Sequence, residues 1–166
     1  MHPTDRATFD AVAARLDAAL VVVTARAGER RDGCLVGFHS QVGIEPRRYG
    51  VWLSTANRTH RVARDADALA VHVLGAADHP LAAWFGGVTG DDGDPFAGVA
   101  IDDGPLGTVL VRALRTRVVG RVERRVAVGT DHELFVLEPV TAELHDDGPT
   151  LRLGDAGDID AGHPAD

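Results

Sequence analysis

The chain has 166 residues (17.5 kDa), with 25 acidic against 17 basic side chains and a formal charge of −8. That length suits one domain, since two independent cores would each fall near the lower limit for unaided folding, and the acidic balance argues against a nucleic-acid partner. Every basic residue is arginine, which excludes a Schiff-base lysine and a phosphate-loop lysine, and the single Cys34 excludes an internal disulfide and a cysteine-only metal site.

The first pattern is helical: Phe9, Val12, Ala13 and Leu16 recur at helix spacing over 5–18, with Thr4 as the cap. LVVVTAR (20–26) reads as a strand, and AGERRDG as a turn eased by Gly28 and Gly33. One strand is expected over 33–42, a turn at Pro46, and another strand over 49–55. Asn57 caps a short helix to about Arg64, followed by a buried strand over 69–75. Asp78 caps a helix with Leu81, Trp84 and Phe85 on its apolar face, and 88–105 reads as a long surface loop. Long strands are expected over 107–126 and 132–141, and the chain from Glu143 onward as an acidic tail. The opening strands are joined too tightly for a doubly wound fold, so the expected class is mainly β with short helices (α+β), an antiparallel barrel.

Chemical motifs are sparse. There is no dinucleotide glycine fingerprint, phosphate loop or nucleophile elbow. The eight histidines show no metal-ligand spacing, so no metal is expected. His39 and Ser40 are strand neighbours that point to opposite faces, and Cys34 reads as an inert buried thiol. STANRTHR (54–61) gathers hydroxyl, amide and guanidinium groups where a strand meets a helix N-terminus. Such a junction suits a phosphate, or equally a plain helix cap among solvated arginines. In GTDHELF (129–135), Asp131 beside His132 can orient the imidazole, though alone the pair is only a turn signal. No apolar run approaches the ~20 residues that span a bilayer, and MHPTDRATFD lacks a signal-peptide layout. A soluble cytoplasmic protein without a membrane or nucleic-acid partner is therefore expected.

Taken in order, VVVTAR, GCLVGFHSQVGIEP, VWLSTANRTHRVA, LAVHVLG, PLAAWFGG and DHELFVLEPV resemble the flavin reductase-like family of FMN-binding split β-barrels. The resemblance runs over roughly 7–142, so it implies a split-barrel domain over 1–142, of antiparallel Greek-key type, and an acidic extension over 143–166. It implies a homodimer with FMN near the interface, FAD or a deazaflavin being the alternatives. The ring would lie along Val36, Gly37, Phe38, Ser40, Gln41 and Val42, with Phe85 bordering it. The ribityl phosphate would meet Ser54, Thr55, Ala56, Asn57, Arg58 and Thr59, and Asp131 and His132 would face the nicotinamide of NAD(P)H.

The activity implied is hydride transfer from NAD(P)H to flavin, with reduced flavin passed to a monooxygenase; a non-catalytic flavin-binding or storage protein is the alternative. The chain departs from the family pattern at Gly37 and Gly43, where serine or threonine is common, and at Thr130, where the Gly-Asp-His motif begins. Arg47 and Arg48 could meet a 2′-phosphate or stand as a solvated pair.

Overall fold

A computed structural model describes residues 5–88, 93–145 and 148–159. Its frame is an antiparallel sheet of seven strands in the order β2-β1-β5-β8-β9-β4-β3. These are β1 (Val21–Ala27), β2 (Arg30–Val36), β3 (His39–Ile44), β4 (Arg47–Ser54), β5 (Ala68–Val73), β8 (Arg117–Ala127) and β9 (His132–Glu143). A ribbon of β6 (Ile101–Asp103) and β7 (Val109–Val111) lies apart. The two edge strands, β2 and β3, are consecutive in the chain. Only Gly37 and Phe38 separate them, so the sheet curls until its edges meet, yet the edges share no ladder. The barrel is split at that point.

The expected strand over 33–42 is therefore two strands. Val36 still pairs with Val21 of β1, whereas His39 pairs with Val51 of β4. Alternation continues across the break, which is why periodicity alone does not reveal it. Gly33 lies inside β2 rather than in a turn; the hairpin turns on Gly28, whose φ of +60° suits glycine. The expected strand over 107–126 also divides, into β7 and β8.

β1 is apolar on both faces because it separates two cores. Val21, Val23 and Ala25 pack inside the barrel with Leu53, Leu69 and Phe135; Leu20 and Val22 pack outside with Leu74, Phe85 and Leu151. Helix α2 (Arg58–Asp65) buries Val62 and Ala63 in the inner core. Helix α3 (His79–Gly87) buries Ala82 and Phe85 in the outer one, while Trp84 stays 39% exposed and donates to the Pro95 carbonyl at 2.7 Å. Asp78 makes no side-chain cap on α3; its carboxylate accepts from Gly75 N–H instead.

The described part of the expected surface loop is anchored: Phe96 is buried against Phe85, and Ile101–Asp103 forms β6. Residues 148–159 also pack onto the body. Leu151 is buried and exchanges backbone hydrogen bonds with Leu20 and Leu74, and a 3-10 turn, Leu153–Ala156, follows. Helix α1 (Arg6–Ala14) is capped by Asp5, Thr4 lying outside the described residues, and it buries none of its side chains. The stripe of Phe9, Val12 and Leu16 faces solvent in the single chain.

Candidate functional site

The split in the barrel opens into a groove. Its first cavity, about 310 Å³, lies under the Val36–Phe38 segment and is lined by Ser54, Asn57, Trp52 and His132. A second, about 210 Å³, continues from it toward α3 and is lined by Phe85, Gly86, Val88, Ala156 and Ile159. The two share a middle formed by Leu20, Cys34, Leu35, Asn57 and Leu153. A third, wider hollow of about 620 Å³ lies on the other side of Phe38 and His132, beneath Phe9, Val128 and Thr130. Together the first two fall in the size range of small-molecule sites.

Local sequence sets each wall. The strand β4 ends at Ser54, and the chain turns at once into α2, whose N-cap Asn57 accepts from Thr59 N–H at 2.9 Å. Asn57 lines the groove, so the N-terminal end of α2, with its partial positive charge, lies at the groove's edge. Ser54 pairs in register with His132, which brings the late Asp-His dipeptide to the same edge.

Asp131 stands 2.8 Å from His132 Nδ1. A carboxylate only accepts, so Nδ1 carries a proton and donates to it. That hydrogen bond holds the Asp131 carboxyl below its ordinary range. The His132 ring also leans on Phe38, with centroids 5.1 Å apart. One residue further along β9, Glu133 accepts from His60 Nε2 at 2.6 Å, tying α2 to the strand that carries His132.

The residues expected to hold a ligand divide sharply. Val36, Gly37, Phe38, Ser54, Asn57, Phe85 and His132 all line the groove, and Asp131 lines the third hollow beside His132. Ser40, Gln41 and Val42 lie on the exposed run of β3, where the Ser40 hydroxyl and the Gln41 amide are engaged by nearby carbonyls. Thr55 bonds back to the Asp131 carbonyl through both its N–H and its hydroxyl, and Ala56 lies in the turn beside it. Thr59, in the first turn of α2, is fully buried, and Arg58 lines a separate surface hollow with Arg30, Arg31 and Asp94. Arg48 is gripped by Glu123 through Nε and Nη2 at 2.6 and 2.8 Å.

Leu20, Leu35, Trp52, Leu153, Ala156 and Ile159 also line the groove, and sequence reading did not single them out. Their only sequence signal is hydrophobicity, which a core residue shows equally. Cys34 borders both cavities, but burial pushes its thiol up to about 12, so it stays protonated and unreactive. Among the described residues no cluster of histidine, cysteine and carboxylate side chains could hold a metal ion.

The departures at the glycines have different physical grounds. A Cβ at Gly43 would come within 2.7 Å of the Pro46 carbonyl oxygen, so a serine there would force the hairpin apart. At Gly37 an added Cβ would meet only Leu20 and Leu153, at 3.7 and 3.8 Å, an ordinary contact.

The chain belongs to the flavin reductase like domain family, whose model matches residues 13–157. It is 30% identical over 139 residues to a ferric-chelate reductase (NAD(P)H) from Archaeoglobus fulgidus, covering 82% of this chain and 81% of that protein. Its fold is similar to that of a flavin reductase domain protein from Arthrobacter sp. FB24, with a TM-score of 0.81, 18% identity and 98% of each chain covered. It is also similar to that of an NADH:FAD oxidoreductase from Streptomyces globisporus C-1027, with a TM-score of 0.77, 22% identity, and 92% and 89% covered.

Proposed function

We propose that this protein is an NAD(P)H-dependent flavin reductase that holds FMN in the split of its barrel. The observation that carries the reading is the composition of the groove. It joins a capped helix N-terminus, a backbone segment free of bulky polar side chains and an apolar floor, matching the phosphate, pyrimidine and ring plane of a flavin. When bound, the flavin supplies the redox chemistry, accepting hydride from NAD(P)H at N5 and passing the electrons on. The chain's own residues position and shield. Asn57 and the first turn of α2 meet the phosphate end, Val36–Phe38 lies along the ring, and Leu20, Leu35 and Leu153 exclude water. His132, its tautomer fixed by Asp131, stands between the groove and the wider hollow, where a nicotinamide has room to approach.

A second copy completes the reading. Phe9 of the α1 stripe and the exposed Phe38 line the hollow, Val42 and Ile44 are exposed on β3, and an amphipathic helix that buries no side chain among the described residues is best satisfied by another protomer. Delivery of reduced flavin to a monooxygenase belongs to the same proposal. Among the described residues no helix is long and apolar enough to cross a membrane.

The test separates phosphate recognition from folding. Aspartate caps helices as well as asparagine does, so Asn57→Asp keeps α2 while adding a negative charge at the phosphate end. FMN affinity is expected to fall about tenfold or more, the equivalent of roughly 1.4 kcal/mol, while riboflavin, which has no phosphate, binds as before. Equal loss for both ligands would place the phosphate elsewhere.

A further inference from the structure

Resting on the flavin reading, we infer that His39 is the clasp of the split: a positioning residue that, backed by Tyr49, fixes the lip where the groove meets the wider hollow. At this lip the backbone ladder stops. Val36 is the last residue of β2 to pair with β1, opposite Val21. Two residues further in that register, Ala19 would face Phe38. Phe38 has instead joined the other side, where its carbonyl accepts from Trp52 N–H at 2.9 Å. The Ala19 carbonyl is thereby left without β2, and a side chain takes its place: His39 Nε2 lies 2.6 Å from that oxygen. A carbonyl only accepts, so Nε2 carries a proton and donates to it.

Tyr49 holds the ring from behind. In the β3–β4 register Tyr49 faces Gln41, one diagonal step from His39 on the same face of the sheet. Its hydroxyl is 2.6 Å from His39 Nδ1, and the two rings lie at 27° with centroids 5.9 Å apart. A hydroxyl can donate or accept, so it answers Nδ1 whether or not that nitrogen carries a proton. Burial raises the Tyr49 phenol above its ordinary pKa and so keeps the hydroxyl protonated. The Tyr49 ring packs on the inner core, and Ala19 leads directly into Leu20, which lines the groove. The imidazole therefore ties β4 to the groove across a break that no ladder between β2 and β3 closes. His39 itself lines the hollow, with Phe38 and His132, and neither cavity of the groove. In the flavin reading the groove holds one reacting ring and the hollow admits the other, and hydride passes only when the two are correctly spaced. A residue that sets the lip between them acts on the rate more than on flavin affinity.

The experiment sets donor against bulk, in the full chain. His39→Phe keeps a ring and removes the donor; His39→Gln removes the ring and keeps an amide that can reach the Ala19 carbonyl. Loaded with FMN, His39→Phe should reduce it about tenfold to a hundredfold more slowly at saturating nicotinamide, while its FMN dissociation constant stays within about threefold. His39→Gln should keep the rate within about threefold. Tyr49→Phe should slow the reaction less than His39→Phe and add nothing to it in the double variant, as expected for one chain of bonds. A second arm needs no flavin. In His39→Phe the Leu20 and Trp52 amides should exchange with solvent deuterium about tenfold faster, and the amides of β5 at the unaltered rate. Unchanged exchange at Leu20 and Trp52 overturns the clasp. So does a His39→Gln protein as slow as His39→Phe, which would make the ring's bulk the operative feature. If the unaltered protein binds no FMN or does not reduce it, the flavin reading and the positioning role fall together, and the exchange arm alone decides whether the clasp exists.

Discussion

The two histidines His132 and His72 show how the same side chain is given opposite tasks. His132 lines the groove, with its Nδ1 proton donated to the exposed Asp131. His132→Ala should therefore raise the nicotinamide KM or lower kcat while leaving the fold intact; unchanged values for both would remove His132 from the reaction. His72 is fully buried between β1 and β7: Nδ1 donates to the Val22 carbonyl at 3.1 Å, and Nε2 accepts from Val111 N–H at 3.1 Å. Burial, the largest cause, lowers its pKa to about 4, against an ordinary value of 6.5. The unfolded chain therefore binds a proton that the folded chain refuses between those values. Stability from this group is full above about pH 6.5 and declines as the pH falls toward 4, by on the order of 3 kcal/mol. A plot of Tm against pH should fall across that window, and less steeply in His72→Gln.

Among the elements, the segment 148–159 is the one whose role sequence reading obscured. Its acids resemble a solvated tail, yet Leu151 and Ile159 pack into the outer core and the exposed Leu153 borders the groove. Asp17, at a φ of +43°, accepts from Gly154 N–H at 2.8 Å and offers its carbonyl to Arg152 Nη1. Asp17→Gly relaxes the backbone while removing the carboxylate, so Tm should change little and FMN affinity should drop several-fold as the wall loosens. Unaltered affinity would show that the wall needs no such anchor. Helix α2, in contrast, was legible to within a residue, because an N-cap and an amphipathic face are local signals. The break at Gly37–Phe38 was not, since it depends on which strands each half pairs with. For the same reason Ser40, Gln41 and Val42 were expected at the ring but lie on the open edge of β3 in the single chain. The hydrophobic walls could not be told from core, because burial against a ligand and burial against the protein leave the same residues.

Over the whole molecule, the formal charge of −8 is uneven. Seven acids and a single arginine fall in residues 142–166, so the remaining body is nearly balanced. The described acids of the 88–105 stretch are paired: Asp94 with Arg31, Asp102 with Arg112 and Asp103 with Arg26, at 2.7–2.8 Å. These are exposed pairs that add little stability, but they leave the acidic total without force as an argument against an anionic cofactor. The curled sheet brings consecutive strands together without joining them, and function is assigned to the gap. No nucleophile and no acid–base pair is needed there, because position and dryness are what hydride transfer requires of the protein. The decisive measurement is the visible absorption of the FMN-loaded protein on anaerobic addition of NADH or NADPH. The account predicts that the oxidised-flavin band bleaches with at least one nicotinamide and returns when air is admitted. A bound flavin that stays oxidised with both would contradict it and leave a flavin-binding protein without turnover.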